Sequence, residues 1–189
     1  MRRIIQIMHT SLDGFVAGAN GELDWFENAN EHLGFVNELI QNSDSIMLGR
    51  VTYEMFNSYW PGLETDQISS TDKKNYSRWY NNATKILLSR NFDKEIPNRT
   101  VLICNNTINS IKELKTQKGK NILLFGSPTV GKLLAQENLI DEYWIFINPV
   151  VFGAGIPMFD TTHTLTRLNL IETKIITNGE VALHYVVRK

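Results

Sequence analysis

Residues 46–54 of this sequence read IMLGRVTYE, an apolar run that stops at Gly49 and passes directly into a segment of helical character. The run is short and apolar on both faces, as expected for a strand that is covered by helices on each side. Gly49 marks its end, and Arg50 and Thr52 fall in the first turn of the helix that follows. A strand, a tight turn and a helix in this order form the repeating unit of an α/β sheet.

The same unit recurs on both sides of this stretch. Apolar residues at helical spacing lie between short apolar runs, which favours a largely parallel sheet with right-handed crossovers. We predict strands at 4–9, 45–48, 85–88, 101–104, 122–125 and 143–147. The apolar faces that predict helices are Leu33, Val36, Leu39 and Ile40; Ile108, Ile111 and Leu114; and Val130, Leu133 and Leu134.

The C-terminal region has a different pattern. A strand-like alternation runs through 168–176 and 181–187, and Asn178-Gly179 lies between these two runs. Both residues of an Asn-Gly pair tolerate positive φ, which makes this pair a strong hairpin indication. The predicted fold class is therefore α/β, with three layers: a mostly parallel central sheet is flanked by helices and ends in a C-terminal antiparallel hairpin.

Composition limits the class of protein. The chain has 189 residues, of which 42% are hydrophobic and 21% are charged, and its net charge is −1. This apolar content argues against disorder, and the near-neutral charge argues against broad nucleic-acid binding, which depends on many cationic contacts. Because no linker or repeat interrupts the sequence, we expect a single domain over residues 1–189.

The single cysteine and the short apolar runs bear on where in the cell the protein is located. Cys104 excludes an intrachain disulfide, which suits a reducing environment, and its place in the run 101–104 predicts a buried, inert thiol. No apolar run has the length of a signal peptide or of a membrane span. We therefore expect a cytoplasmic protein without membrane association.

Three predicted strand ends carry groups that suit phosphate. Ligands of α/β sheets bind beyond the carboxyl ends of the strands, where helix N-termini offer free N–H groups. At the first of these ends, Gly49 lets a ligand approach the backbone, Arg50 offers a planar cationic group, and Thr52 adds a hydroxyl. The alternative interpretation is a tight turn with a solvated arginine. The second end is Gly126-Ser127-Pro128, where helix capping alone would explain the Ser-Pro pair. The third is Ser89-Arg90, although such pairs are also common on protein surfaces.

The remaining candidate residues have ordinary structural explanations as well. Asp13 could relay a proton, but an Asp-Gly pair after a strand more often forms a turn through the side-chain oxygen. His9 points either into a cleft or into the core. No histidine spacing indicates a metal site, and none is predicted. Phe56, Trp60 and Phe152 suit a planar substrate, although core packing explains many such aromatic residues.

Several short motifs, taken in their order along the chain, resemble those of the dihydrofolate-reductase-like superfamily. Within it they resemble the branch that includes the reductase domain of the bifunctional riboflavin-biosynthesis deaminase-reductase. The resemblance covers essentially the whole chain. The residues that carry it are Ser11-Leu12-Asp13-Gly14-Phe15-Val16-Ala17 with Gly21 and Trp25; Gly49-Arg50-Val51-Thr52-Tyr53-Glu54; Leu88-Ser89-Arg90; Gly126-Ser127-Pro128-Thr129; Leu139-Ile140-Asp141-Glu142; and residues 149–155.

The resemblance implies a reductase that uses NADPH. In this family the first strand and its loop run past the nicotinamide, the Gly49 turn contacts phosphates, Ser89-Arg90 reaches the adenosine 2′-phosphate, and the Gly126 turn wraps the pyrophosphate. A homodimer is also implied, with the segment 143–152 near a two-fold interface. The implied cofactor-binding residues are His9, Val16, Ala17, Trp25, Gly49, Arg50, Thr52, Ser89, Arg90, Phe125, Gly126, Ser127, Pro128, Thr129 and Val130.

The substrate half of the sequence departs from the family pattern. Dihydrofolate reductases carry a carboxylate early in the first helix, where this chain has Leu33 with Glu31 nearby. Asp13 and Glu31 are the catalytic candidates. Phe125 replaces the acidic residue of riboflavin-pathway reductases, and their arginine-bearing stretch is missing after Thr52. We therefore expect a small planar heterocycle, in a reaction related to that of 5-amino-6-(5-phosphoribosylamino)uracil reductase. The alternative is a non-catalytic small-molecule or nucleotide-binding protein that retains the fold. The predicted pocket residues are Phe56, Trp60 and Phe152.

Overall fold

The computed structural model describes residues 1–25, 30–159, 165–176 and 178–188, without the side chains of residues 30 and 31. The described strands are β1 (Ile4–Thr10), β2 (Phe15–Ala17), β3 (Ser43–Gly49), β4 (Thr84–Leu88), β5 (Thr100–Ile103), β6 (Asn121–Phe125), β7 (Glu142–Ile147), β8 (Ile156–Pro157), β9 (Leu168–Ile175) and β10 (Val181–Val187). The helices are α1 (Asn30–Ile40), α2 (Arg50–Tyr59), α3 (Thr71–Asn82), α4 (Thr107–Thr116) and α5 (Pro128–Gln136), with a 3-10 helix at Pro61–Glu64. Within the described ranges, none of these helices combines the length and the apolar character that crossing a bilayer requires.

Eight strands form one sheet in the order β5-β4-β3-β6-β1-β7-β10-β9. Strand β10 runs antiparallel to β7 and β9, and the other neighbouring strands run parallel. Gly179, at φ +87°, lies in the turn between β9 and β10, where its N–H donates to Ile176 O over 3.0 Å. The predicted fold class is confirmed, including the C-terminal hairpin.

Strand β1 shows how helices cover both faces of the sheet. Ile5 and Ile7 pack into the core beneath α1, α2 and α3, whereas Ile4 and Met8 pack into the core beneath α4 and α5. All four side chains are at least nine-tenths buried, and each buried aliphatic side chain of this size contributes about 1.5–3 kcal/mol. This two-sided core leaves the carboxyl edge of the central strands as the place for a ligand.

Sequence patterns missed two features and misplaced one residue. Helix α3 buries Tyr76, Ser77 and Tyr80, so its inner face lacks the aliphatic spacing that indicates a helix. The small sheet of β2 and β8 is too short to show a pattern. The prediction that Cys104 is buried was wrong, because the edge strand β5 ends at Ile103 and leaves Cys104 exposed.

The segment 143–152 does not form a continuous surface. Its first part lies in β7, which pairs with both β1 and β10, and Tyr143 and Trp144 are each only 3% exposed. Val151, in the loop after β7, is 69% exposed. A two-fold interface near this segment stays a prediction. The homodimer itself stays a prediction.

A buried ion pair fastens the amino end of β1 to its surroundings. Lys115 on α4 is 3% exposed, and its Nζ donates to the Asp141 carboxylate and, over 2.7 Å, to Leu139 O. The same carboxylate accepts the N–H of Ile4 over 2.9 Å. Helix α4, strand β1 and the start of β7 are thus joined at one carboxylate.

Candidate functional site

The carboxyl ends of β4, β3, β6 and β1 lie along one edge of the sheet. The parallel register pairs Gly49 with Leu88 and Ile7 with Phe125, so that the residues after these strands stand side by side. The N–H of Gly49 donates to Ser127 Oγ over 2.9 Å and thereby joins the turns that follow β3 and β6. The three strand ends that the sequence singled out for phosphate thus meet at one edge.

The turn into α5 leaves the N-terminus of this helix open. Gly126 and Ser127 are consecutive left-handed residues, at φ +50° and +53°, and they turn the chain sharply into the helix. Ser127 stands at the N-cap position, but its side chain accepts from Gly49 and makes no capping hydrogen bond. The first-turn N–H groups after Pro128 therefore remain available to an external acceptor, and the helix dipole favours an anion there.

Opposing side chains narrow this turn from both sides. A Cβ on Gly49 would lie 3.3 Å from Val130 Cγ2, and a Cβ on Gly126 would lie 3.6 Å from Thr52 Cγ2. Val130 is buried against the core, whereas Thr129 is exposed at the mouth of the turn. Side chains at the two glycine positions would therefore crowd the groove that a ligand backbone has to enter.

The two arginines of this edge have different surroundings. Arg50 donates to Glu54 Oε2 over 3.0 Å, and Glu54 also accepts from Lys94 over 2.7 Å, which lowers the pKa of this carboxyl. Ser89 Oγ accepts the N–H of Asn91 over 3.3 Å and so shapes the turn after β4. Arg90 follows with an exposed side chain. An anion would thus meet a partly neutralised Arg50 and a solvated Arg90.

The loop after β1 contributes a second wall. Val16 and Ala17 lie in β2 and are buried. Trp25 packs edge-on against Phe152, with ring centroids 5.3 Å apart, and both line an open groove of about 350 Å³. Val16 and Ala17 therefore offer backbone and packing to a ligand, and Trp25 and Phe152 offer aromatic surface.

The two catalytic candidates are Asp13 and Glu31. Asp13 accepts the N–H groups of Phe152 and Gly153 over 3.1 and 2.7 Å. Hydrogen bonds from the Ser11 side chain and from these amides lower the pKa of Asp13 to about 2, so that its carboxylate holds the loop and carries no proton near neutral pH. Glu31 lies on α1, but its side chain is outside the described residues.

The predicted aromatic pocket separates into two groups. Phe56 packs against Trp60 and Phe125, with centroids 6.3 and 5.9 Å away, and Phe125 is 8% exposed. Phe152 packs against Trp25 instead. The first group borders the carboxyl edge because Phe125 ends β6. Its aromatic rings make this border apolar.

The structure also assembles a buried cluster that the sequence did not indicate. His9 Nδ1 lies 2.7 Å from Glu180 Oε1, and His9 Nε2 lies 3.0 Å from His32 Nε2. Burial raises the pKa of Glu180 and lowers that of His9 to about 3; burial, followed by the influence of His9, lowers that of His32 to about 3. The three residues come from β1, α1 and the turn before β10, so no local spacing could have revealed them.

Two imidazoles and a carboxylate form a donor set that divalent metals use. One ligand atom from each of the three residues lies within 4.8 Å of the ligand atoms of the other two. The two imidazoles share a hydrogen bond, whereas the Glu180 carboxyl lies close to His9 without the geometry of a hydrogen bond.

Comparisons with known proteins agree with this fold. Residues 2–182 match the family described as the RibD C-terminal domain. The chain is 32% identical over 184 residues to the uncharacterized protein YyaP of Bacillus subtilis (strain 168), an alignment that covers 97% of this chain and 94% of YyaP.

Solved structures extend the likeness to the whole chain. A pyrimidine reductase-like protein from Corynebacterium diphtheriae matches with a TM-score of 0.68 at 16% identity, over 100% of this chain and 92% of that one. Dihydrofolate reductase from Enterococcus faecalis, complexed with NADP(H) and RAB-propyl, matches with a TM-score of 0.65 at 14% identity, over 99% and 97% of the two chains. At these identities the likeness establishes the fold.

Proposed function

The chain belongs to the RibD C-terminal domain family, and from that premise we propose that it is an NADPH-dependent reductase of a small planar heterocycle. The observation that carries the proposal is the hydrogen bond from Gly49 N–H to Ser127 Oγ. It joins two phosphate-suited turns and at the same time diverts the Ser127 side chain from capping α5. A helix N-terminus at a strand end, left open in this way, suits a pyrophosphate.

The donors along this edge fit a phosphorylated dinucleotide. The first turn of α5 and the Thr52 hydroxyl would receive the pyrophosphate, and Ser89 with Arg90 would receive the 2′-phosphate. Strands β6 and β4 are separated by β3, so these two sites lie roughly 10 Å apart and one extended ligand can reach both. The exposed Arg90 guanidinium supports NADPH over NADH, because only NADPH carries a 2′-phosphate.

The chain positions the reactants and excludes water from them. When bound, NADPH supplies a hydride from C4 of its nicotinamide. Trp25 and Phe152 would cover the nicotinamide end, while Asp13 holds the loop of Phe152 through its two backbone hydrogen bonds. The Gly126 turn would fix the opposite end of the cofactor.

The aromatic border supports an apolar, planar substrate. Phe56, Trp60 and Phe125 form one cluster next to the carboxyl edge, where riboflavin-pathway reductases carry an acidic residue before the glycine. A flat heterocycle gains from stacking on such rings. A phosphoribosyl group would find few partners among them, so the riboflavin precursor should be a poor substrate.

Two measurements test the proposal. Quenching of the four tryptophans by NADPH, compared with NADH, tests cofactor binding. Oxidation of NADPH in the presence of 7,8-dihydropterin, 7,8-dihydrofolate or the phosphoribosyl-aminouracil then tests the reaction and the substrate class. Quenching without oxidation of NADPH by any member of this panel would favour a non-catalytic binding protein, and absence of quenching would refute the cofactor site.

A further inference from the structure

A buried carboxyl group lies in the turn before β10. Glu180 is 0% exposed, and neither of its carboxyl oxygens accepts a hydrogen bond within the part of the chain that the structure describes. Burying a polar group without a hydrogen bond costs free energy, and native proteins leave such a group only where a water, an ion or a function accounts for it. The groups around Glu180 indicate which of these applies.

Two imidazoles lie next to this carboxyl group. His9 Nδ1 lies 2.7 Å from Glu180 Oε1, and His9 Nε2 lies 3.0 Å from His32 Nε2. Because the Glu180 oxygen and the ring nitrogen are this close without hydrogen-bond geometry, both present electron density to the same small space. A divalent cation in that space would bind to both groups and remove the cost of burying the carboxyl group.

The spacing of the two imidazoles suits a tetrahedral ion. Zinc binds histidine nitrogen at about 2.0–2.1 Å, so two nitrogen ligands of one ion lie roughly 3.3 Å apart. The Nε2 atoms of His9 and His32, at 3.0 Å, are already close to this separation. Glu180 now lies beside the other nitrogen of the His9 ring, and rotation of its side chain would bring one oxygen to the pair.

Aromatic packing orients both imidazoles before an ion binds. The His9 ring stacks on Phe146 at 4.8 Å and 17°, and the His32 ring meets the same phenyl group edge-on at 4.5 Å and 80°. Asn148 is 3% exposed, and its Nδ2 lies 3.5 Å from His9 Nδ1. Metal sites orient their ligands through neighbours of this kind, which reduces the movement that binding requires.

The donor set selects the class of ion. Imidazole nitrogen suits Zn²⁺ and related transition metals, whereas Mg²⁺ and Ca²⁺ prefer sets made of oxygen ligands. Two histidines and one glutamate are a known set for Zn²⁺, in which water takes the fourth position. The His9 side chain is 16% exposed, so an ion can reach the cluster from solvent at this residue.

We propose that His9, His32 and Glu180 form a binding site for one zinc ion, held by one nitrogen of each imidazole and one carboxylate oxygen, with water as the fourth ligand. The ligands come from β1, α1 and the turn before β10, so the ion joins three segments that are far apart in sequence. The bound ion stabilises the folded chain, because the unfolded chain does not hold these ligands together. This role is independent of NADPH.

Metal titration of the full chain tests the site. Protein that has been freed of metal with a chelator should bind one Zn²⁺ per chain in calorimetry, and Mg²⁺ and Ca²⁺ should not compete. Glu180→Gln and His32→Phe should each weaken Zn²⁺ binding at least about 100-fold, since residues that only orient metal ligands already contribute about 10- to 100-fold. Unchanged affinity in both variants would place the ion elsewhere and overturn the proposal.

A second buried pair of imidazole and carboxylate supplies matched controls. His184 Nε2 lies 2.9 Å from Glu142 Oε2, but the third group of that cluster is Arg3, whose Nη1 lies 2.6 Å from Glu142 Oε1. A cation in the place of a second imidazole excludes a metal ion there. His184→Phe and Glu142→Gln should therefore bind Zn²⁺ as the wild-type protein does, and a loss equal to that in Glu180→Gln would contradict the assignment.

Two further readouts separate a lost site from a lost fold. Co²⁺ in place of Zn²⁺ should give the visible absorption of a four-coordinate ion in the wild-type protein and not in Glu180→Gln. Zn²⁺ should raise the Tm of the wild-type and control proteins and leave that of Glu180→Gln and His32→Phe unchanged, while the metal-free melts show that each variant folds. A wild-type protein that binds no Zn²⁺ at micromolar concentration, or whose Tm rise is shared by all variants, would overturn the proposal.

Discussion

Replacing Lys115 by methionine should strongly destabilise the fold. The substitution keeps a long side chain in place but removes the ammonium group that contacts Asp141 and Leu139 O. Asp141 is 8% exposed and would keep the N–H of Ile4 while losing its cationic partner. Breaking a buried ion pair from one side costs about 3–5 kcal/mol, a large part of the 5–15 kcal/mol typical of a folded domain.

Urea unfolding of Lys115→Met and of two further variants measures this effect. Lys94→Met removes an exposed pair, in which Nζ lies 2.7 Å from Glu54 Oε1, and should lower the free energy of unfolding far less than Lys115→Met does. Lys115→Met combined with Asp141→Leu should be more stable than Lys115→Met alone, because no charge is left buried. A loss below about 1 kcal/mol for Lys115→Met would refute the assignment of this pair as a buried one.

Three further outcomes are expected. Arg90→Gln should weaken NADPH binding by roughly 10- to 100-fold in calorimetry and leave NADH binding unchanged, and equal losses for both would contradict the 2′-phosphate contact. Asp13→Asn should leave the pH profile of reduction unchanged, since this carboxylate, with its pKa lowered to about 2, is already ionised; a shifted profile would make Asp13 a proton donor. Because burial lowers the pKa of His9 and His32, unfolding takes up protons below pH 6.5, and the free energy of unfolding should fall as the pH drops from 6.5 to 4.5. The raised pKa of Glu180 opposes this fall, but one carboxyl cannot cancel two imidazoles, so urea melts should still show the decline and a flat curve would contradict neutral imidazoles.

The sheet could be predicted because its information is local. Short apolar runs mark β1, β3, β4, β6 and β7, and Asn178-Gly179 marks the hairpin between β9 and β10. Helix α3 could not be predicted in the same way, since its buried positions include Tyr76 and Ser77 and its remaining residues are largely polar. Cys104 was misplaced because an apolar run alone does not tell an edge strand from a central one.

The candidate site was predictable only where the topology of parallel sheets gathers distant residues. The carboxyl ends of parallel strands share one edge, so Gly49, Ser89 and Gly126 could be placed together before any coordinates were known. The contact between Gly49 and Ser127 depends on a left-handed serine, which the sequence does not specify. The His9 cluster depends on three segments that meet only in the folded chain.

The proposed function requires that NADPH binds along the carboxyl edge of β4, β3 and β6. Amide hydrogen exchange with and without NADPH tests it most directly, because it reports both binding and place. NADPH should protect the amides of residues 49–52, 127 and 129–131, with NADH giving weaker protection, while the opposite end of the sheet stays unchanged. Absence of protection at these turns under saturating NADPH, or protection confined to another part of the chain, would contradict the account.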